Sequence, residues 1–408
     1  LSFTLSLLLA VFGALLLVAV LLDDIAARLR VPGILLVLLL GLLTSNDVDA
    51  LPTGPSQLLS LEQADQISQL ALVLVLFFGG LTSNWQELRG VLRPALRLAT
   101  LGSLLTAGLV TALVLLLGQL PITAVHPAFP VALFIGAMVC STDASAVLVL
   151  LRPLAGHLPR RLIDLIECES AFNDPVAVVI AGVALVLATG HGVADPTTLL
   201  ITGMRQFLLG ALLGFLGGSL AAQMLVHSPR LRHPALLAVV SLAVLMLLVG
   251  ATQLLGGSGI LAAYVAGLVL GNTPGCDRGV LEQTHAGFAK MAELGLFLCL
   301  GLVVDPAHVV RDGLWVLVLF LVMQLARWLM VEAVLLRSEF RRADRLMITA
   351  SGLRGAVPIA LAIQAASSTA AWGREMPPLA LGVVLLGLVL QGFSLVPLAR
   401  RLGLASAG

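Results

Sequence analysis

The chain has 408 residues, 59% of them hydrophobic and only 11% charged, with a mean hydropathy of +1.07; this excludes a soluble domain and points to a polytopic membrane protein. A net charge of +1 excludes the basic surface that a nucleic-acid partner needs. The four cysteines at 140, 168, 276 and 299 show neither CxxC nor Cys/His spacing, so no disulfide framework or zinc site is indicated and they read as buried thiols.

The first run, LSFTLSLLLAVFGALLLVAVLL, has no basic leader and no small-residue cleavage site. It reads as a crossing helix rather than a signal peptide. A helix needs about 20 apolar residues to cross a bilayer. On that measure the chain predicts thirteen spans, at 2–22, 32–45, 66–82, 94–118, 128–151, 162–189, 198–226, 235–251, 257–271, 286–304, 313–336, 345–369 and 377–399. The second and ninth are short and need shielding by protein. The longest polar connection is 44–65, and no soluble domain of useful size is expected.

Loop charge tests the count independently. Alternate connections plus the C-terminal end carry 18 of the 23 basic residues, from Arg28 and Arg30 through Lys290 to Arg400 and Arg401. The opposite side carries only Arg311 and Arg374, while Arg205, Arg327 and Arg354 fall within or near spans. By the positive-inside rule, this places the N-terminus outside and the C-terminus in the cytoplasm, in a multi-pass plasma (inner) membrane protein. An even number of spans would scramble the alternation.

Ionisable groups inside a membrane are costly and default to a functional reading. Three clusters qualify. Span 5 holds CSTDASAV, with Thr142 and Asp143 in mid-span. Span 6 holds ECESAFNDP at 167–175. There Ser170 and Asp174 stand at i, i+4, Glu167 lies roughly on the same stripe, and Glu169 and Asn173 form a second pair on the adjacent face. An aspartate with oxygen neighbours is a ligand for a hard cation, and a desolvated carboxylate holds its proton more readily. Proton and cation then exclude one another, which suffices for exchange. The competing structural reading is an interhelical ion pair, expected between Glu169 and Arg354. Arg327 has no derived role beyond a pair with Glu332 at the poor spacing i+5. Span 12 holds SGLRGAVPIALA, with Arg354 between glycines and ahead of Pro358.

Spans 5 and 12 both read as interrupted helices. With span 7 as a linker, spans 1–6 and 8–13 form two inverted six-helix repeats, and spans 5 and 12 correspond. Breaks at matching positions of two halves point to a transporter's midplane site. Asp143 and Arg354 would offset the dipoles of the crossing half-helices.

Together the motifs resemble the monovalent cation/proton antiporters of the NhaP and eukaryotic sodium/proton exchanger type, over essentially the whole chain. STDASAV is similar to the family's Thr-Asp break, ESAFNDP to its Glu-Ser…Asn-Asp signature, GLRGAVPIALA to its Leu-Arg-Gly break, and FFGGLTSNW at 77–85 to its third-span Gly-Gly segment. The resemblance implies an all-α, NhaA-like antiporter fold with crossed broken helices. It implies scaffold and dimerisation helices in 1–93, core helices in 94–189, a linker and scaffold helices in 190–304, and core helices in 305–408. It implies a homodimer in the lipid bilayer working as an elevator, with no cofactor. Asp174 would carry proton or cation in turn, with Ser170 and Thr142 as further oxygen ligands for Na+ or K+. Asn173, Glu169 and Arg354 would hold the site and Asp143 would cap the break, with Glu167 a possible further member. The pair Asn173–Asp174 implies electroneutral one-for-one exchange. Two departures stand out. Phe78 sits where many relatives carry an acidic residue, so no ligand carries over from that span. Thr-Asp-Ala replaces the common Thr-Asp-Pro, as in bacterial relatives associated with potassium.

Readings from other classes fit less well. A channel needs a continuous pore, whereas one carboxylate between two breaks suits alternating access. An intramembrane protease would need the Tyr-Asp and Gly-x-Gly-Asp contexts around Asp143 and Asp174, and a mid-membrane histidine to serve GGSG at 256–259; the sequence has neither, and no HExxH. An enzyme is not expected.

Overall fold

In a computed structural model of the chain, the described residues are 3–29, 33–44, 46, 58–119, 127–154, 156–189 and 196–404. Arg30, most of the connection 44–65 and the outermost residues of the first two predicted spans lie outside them. Every regular element among the described residues is helical. In chain order these are α1 (Phe3–Leu29), α2 (Gly33–Leu43), α3 (Leu61–Thr82), α4 (Trp85–Leu88), α5 (Leu92–Arg97), α6 (Ser103–Gly118), α7 (Phe129–Cys140), α8 (Ala144–Leu151), α9 (Arg160–Thr189), α10 (Pro196–His227), α11 (Pro234–Leu254), α12 (Gly259–Asn272), α13 (Arg278–Val303), α14 (Pro306–Arg311), α15 (Gly313–Leu335), α16 (Arg342–Ala350), α17 (Ala356–Ser367) and α18 (Met376–Arg401). A π-turn over Leu98–Gly102 joins α5 and α6 into one rod.

Nine helices among the described residues are long and apolar enough to cross a membrane, and four shorter apolar ones accompany them: α2, α7, α12 and α17. The protein is a multi-pass membrane protein. The short helices fall on the second, fifth, ninth and twelfth predicted runs. Where α7 ends, Ser141, Thr142 and Asp143 form a non-helical break before α8. Where α16 ends, the segment 351–355 does the same before α17.

Local chemistry sets the element ends. Ser60 opens α3 with a capping box to Gln63. Asp277 caps α13 by accepting from the Val280 amide. Gly256, at φ +77°, turns the chain between α11 and α12, a conformation other residues adopt at a steric cost.

The contacts fall into two bundles. In one, α3 packs chiefly on α12 and α13, with α1, α2, α10 and α11 around them. In the other, α7 packs on α6 and α9, with α15, α17 and α18 completing the group. α17 against α3, and α9 against α10, carry most of the contact between bundles. Small residues allow the closest approach in the first bundle. A Cβ on Gly80 would overlap the Tyr264 carbonyl, and one on Gly267 would overlap the Phe77 carbonyl.

A broken-helix crossing over an acidic cavity

The two breaks meet. The Asp143 amide donates to the Leu353 carbonyl at 2.9 Å, tying one break to the other through backbone. Arg354 Nη1 donates to the Ser141 carbonyl at 2.8 Å, and its Nε faces Met323 Sδ at 3.1 Å. Arg354 is buried. Its charge stands at the C-terminal end of α7, where carbonyls lack helical partners. Asp143 accepts from the Ala146 amide at 3.2 Å, at the N-terminal end of α8, where amides lack partners. Opposite charges thus sit at opposite half-helix ends of one break.

α9 brings its polar residues to the crossing from the side. Asn173 Nδ2 donates to Thr142 Oγ1 at 2.8 Å, and Asn173 Oδ1 accepts from the Thr142 amide at 3.3 Å. Thr142 Oγ1 and Ser170 Oγ lie 2.9 Å apart. Asn173, Thr142 and Ser170 are all buried. Asn173 therefore satisfies break backbone that has no helical partner.

Glu169 faces elsewhere. It accepts both arms of Arg327 from α15, with Nη2 to Oε2 at 2.9 Å, and the two side chains are 2% and 3% exposed. The expected partner, Arg354, is not the one Glu169 takes. Arg354 is anchored to Ser141, while Arg327 projects from the neighbouring helix to the face of α9 that carries Glu169. Arg327 Nη2 also reaches the Ile348 carbonyl at 3.2 Å, at the end of α16. The expected Arg327–Glu332 pair is likewise replaced: Glu332 pairs with Arg345 at 3.0 Å. A spacing of i+5 turns two side chains away from each other on a helix, so both find partners on other elements.

Below the crossing lies a cavity of about 580 Å³. Five carboxylates line it, Asp143, Asp164, Glu167, Asp174 and Glu293, against one lysine, Lys290. Such a balance concentrates cations. Ser170 and Thr142 line it too. Lys290, read from sequence as a loop charge, sits within α13 and contacts Asp23 of α1 at 3.1 Å and Glu293 at 3.3 Å. Asp164, Lys290 and Glu293 were missed as site residues. The signal was present, since each is an ionisable group inside a predicted span.

Among these groups Asp174 is distinctive. It lines the cavity, next to the Thr142–Ser170–Asn173 network, and forms no hydrogen bond or ion pair with protein among the described residues. Its carboxylate is left to whatever occupies the cavity. No cluster of three or more His, Cys, Asp or Glu arranged for a resident metal occurs among the described residues.

Comparison with known proteins gives a consistent picture. The chain matches the transmembrane sodium/hydrogen exchanger family over residues 13–401. It is 36% identical to the K(+)/H(+) antiporter NhaP2 of Shewanella sp. (strain MR-4), over 94% of this chain and 65% of that protein. It is 30% identical to the K(+)/H(+) antiporter NhaP of Alkalimonas amylolytica, over 97% of this chain and 66% of that protein. The chain thus spans about 65% of the length of these curated relatives. In fold it is similar to the sodium proton antiporter MjNhaP1 of Methanocaldococcus jannaschii at pH 8, with a TM-score of 0.83, 23% identity, and coverage of 98% of this chain and 99% of that one.

Proposed function

The chain belongs to the sodium/hydrogen exchanger family, and on that premise we propose that it exchanges a monovalent cation for a proton across the membrane, with Asp174 binding one or the other in turn. The observation that carries this reading is the unpartnered Asp174 carboxylate in an acidic cavity, beside two crossed helix breaks whose other charges are already engaged. Glu169 is neutralised by Arg327, Asp143 caps α8, and Arg354 serves break backbone. Asp174 alone is left to trade ligands.

In this mechanism a cation entering the cavity is drawn to Asp174 by the surplus of carboxylates. Ser170 and Thr142 supply hydroxyl oxygens beside it. Protonation of Asp174 removes the charge and releases the cation. One carboxylate changing ligand gives one proton per cation, and Asn173, which cannot ionise, adds no second proton. This is electroneutral exchange. The relatives named K(+)/H(+) antiporters make potassium the first cation to test, with sodium beside it.

Thirteen crossings are proposed, the four short helices spanning where the protein shields them. The bundle holding both breaks would slide as an elevator core (94–189 and 305–408) against the scaffold (1–93 and 190–304), carrying Asp174 from one side to the other. Exposed leucines on α1 and α10, including Leu17, Leu208 and Leu220, give the scaffold an apolar face for lipid or for a second copy in a homodimer. The charge asymmetry supports an inner-membrane protein with its N-terminus outside and its C-terminus in the cytoplasm.

The test is proton flux in proteoliposomes with an imposed pH gradient, adding potassium or sodium in turn at two clamped voltages. Cation-driven collapse of the gradient, independent of voltage and lost in Asp174→Asn, is the expected result. Full activity of Asp174→Asn would remove the carrier assignment. Voltage-dependent flux would remove electroneutrality, and cation flux uncoupled from protons would mean a channel.

A further inference from the structure

The acidic cavity has two walls, one from each bundle. The core supplies the break at 141–144, the first half of α9 up to Asp174, and the start of α17. The scaffold supplies the last turns of α3, Tyr264 of α12, and residues of α13 between 286 and 293. The lining comes from the parts of α3, α9 and α13 nearest to Arg89, Arg160 and Arg278. The cavity therefore faces the side that the charge asymmetry makes cytoplasmic.

On the scaffold wall the other polar side chains are already committed. Thr82 Oγ1 donates to the Phe78 carbonyl at 3.1 Å, and Ser83 Oγ to the Gly79 carbonyl at 2.8 Å. Asn84 Oδ1 caps α4 by accepting from the Gln86 amide at 3.0 Å, and Lys290 pairs with Glu293 at 3.3 Å. Tyr264 differs. Its Oη is buried and has no hydrogen-bond partner among the described residues, although Ser83 lies beside it. A buried, unpaired hydroxyl is destabilising. Phenylalanine would fill the same space without that cost, so packing alone does not account for the oxygen.

Tyr264 is also firmly placed. Its carbonyl stands where a Cβ on Gly80 would be, so α12 meets α3 backbone to backbone at this point. Its ring meets Phe172 of α9 edge to face, with centroids 5.4 Å apart and planes at 74°. Phe172 is two residues before Asp174. A phenol fixed in the scaffold thus abuts the core helix that carries the open carboxylate. Two uncommitted polar groups share one cavity from opposite walls, a carboxylate and a hydroxyl whose oxygen has lone pairs to offer. A monovalent cation satisfies both at once. The hydroxyl adds a ligand without adding charge, so one-for-one exchange is preserved.

We propose that Tyr264 is a cation ligand supplied by the scaffold, its hydroxyl oxygen completing the coordination of the ion held at Asp174 while the cavity faces the cytoplasm. The proposal rests on the exchange reading above and adds a residue to it. Ser170 and Thr142 travel with Asp174, whereas Tyr264 stays behind when the core slides. The hydroxyl therefore contributes to cation affinity at the cytoplasmic face and not at the outer face.

The experiment uses Tyr264→Phe, which removes one oxygen and keeps the ring against Phe172. In the first arm, purified protein is titrated with KCl, NaCl or choline chloride and thermal unfolding is followed. In choline the midpoint of Tyr264→Phe should equal or exceed that of the unsubstituted protein, because an unpaired hydroxyl has been removed. The potassium or sodium concentration giving half of the cation-specific stabilisation should rise about threefold to tenfold, the loss of one neutral ligand. A lower midpoint in choline would mean that the hydroxyl serves a protein partner and would overturn the proposal, as would an unchanged cation dependence. In the second arm, exchange is measured in everted and right-side-out vesicles. The half-saturating cation concentration should rise by the same factor when cation is supplied from the cytoplasmic face and stay unchanged from the outer face. Equal shifts on both faces, a shift from outside alone, or none would overturn the ligand while leaving exchange at Asp174 standing. Absence of exchange in the unsubstituted protein, or full exchange in Asp174→Asn, would instead overturn the underlying reading.

Discussion

Removing Arg327 should damage the protein more than any other single charge deletion. Arg327 and Glu169 are 3% and 2% exposed and joined by two parallel contacts. Arg327→Met leaves the Glu169 carboxylate buried and unpaired, at a cost of about 3–5 kcal/mol. It also strips the Ile348 carbonyl of its donor, which adds about 1 kcal/mol at the end of α16. Arg327→Lys keeps the charge but not the two-pronged geometry, and should lose about half as much. The double variant Glu169→Met/Arg327→Met removes both charges together, so it should be more stable than Arg327→Met alone. A double-mutant cycle should give a coupling of at least about 2 kcal/mol. The assay is thermal unfolding of detergent-purified protein at a fixed scan rate, because such chains unfold irreversibly. The expected fall in midpoint for Arg327→Met is roughly 10 °C. A fall under about 2 °C, or single-site losses that simply add in the double variant, would refute the pairing and the placement of α15 against α9.

Other outcomes follow from the same geometry. If one proton and one cation compete for Asp174, the half-saturating cation concentration should fall about tenfold per pH unit as pH rises, and level off once the carboxylate is deprotonated. Exchange kinetics measured against pH on the cation side read the slope, and a slope near two would mean a second proton. Gly355→Ala should lower both exchange and stability, the latter by about 1 kcal/mol or more, because a Cβ there would overlap the Asp143 side chain that caps α8; transport and an unfolding midpoint near those of the unsubstituted protein would show that Asp143 has room to move. Gly267→Val should destabilise by about 2 kcal/mol or more, since its side chain would meet the Phe77 carbonyl at the α3–α12 crossing. Thermal unfolding again decides, and an unchanged midpoint would mean that the crossing relaxes.

Much of this was legible in the sequence because a bilayer enforces simple rules. Long apolar runs become helices, since lipid offers no partner to an open backbone. The short ones, such as 257–271, were visible as runs too short to cross unaided. Charged and amide groups inside those runs marked the site, and helical spacing alone separated the Ser170–Asp174 face from the Glu169–Asn173 face. The breaks at Ser141–Asp143 and 351–355 announced themselves through polar residues, glycine and proline in otherwise apolar stretches.

Partnership was a different matter. Glu169 lies 158 residues from Arg327, and nothing in either stretch distinguishes Arg327 from Arg354 as its mate. The choice depends on which face of α9 meets α15 and which meets the α7–α8 break. Likewise Gln69, Gln206, Gln253 and Gln364 are isolated polar residues in four separate helices, and only packing brings them to one pocket. Sequence therefore determined where helices run and which groups are too polar to lie there idly, because hydropathy acts on each residue independently. Tertiary structure decided which of those groups neutralise one another and which are left facing open space, because pairing depends on distances between helices that the local sequence does not encode.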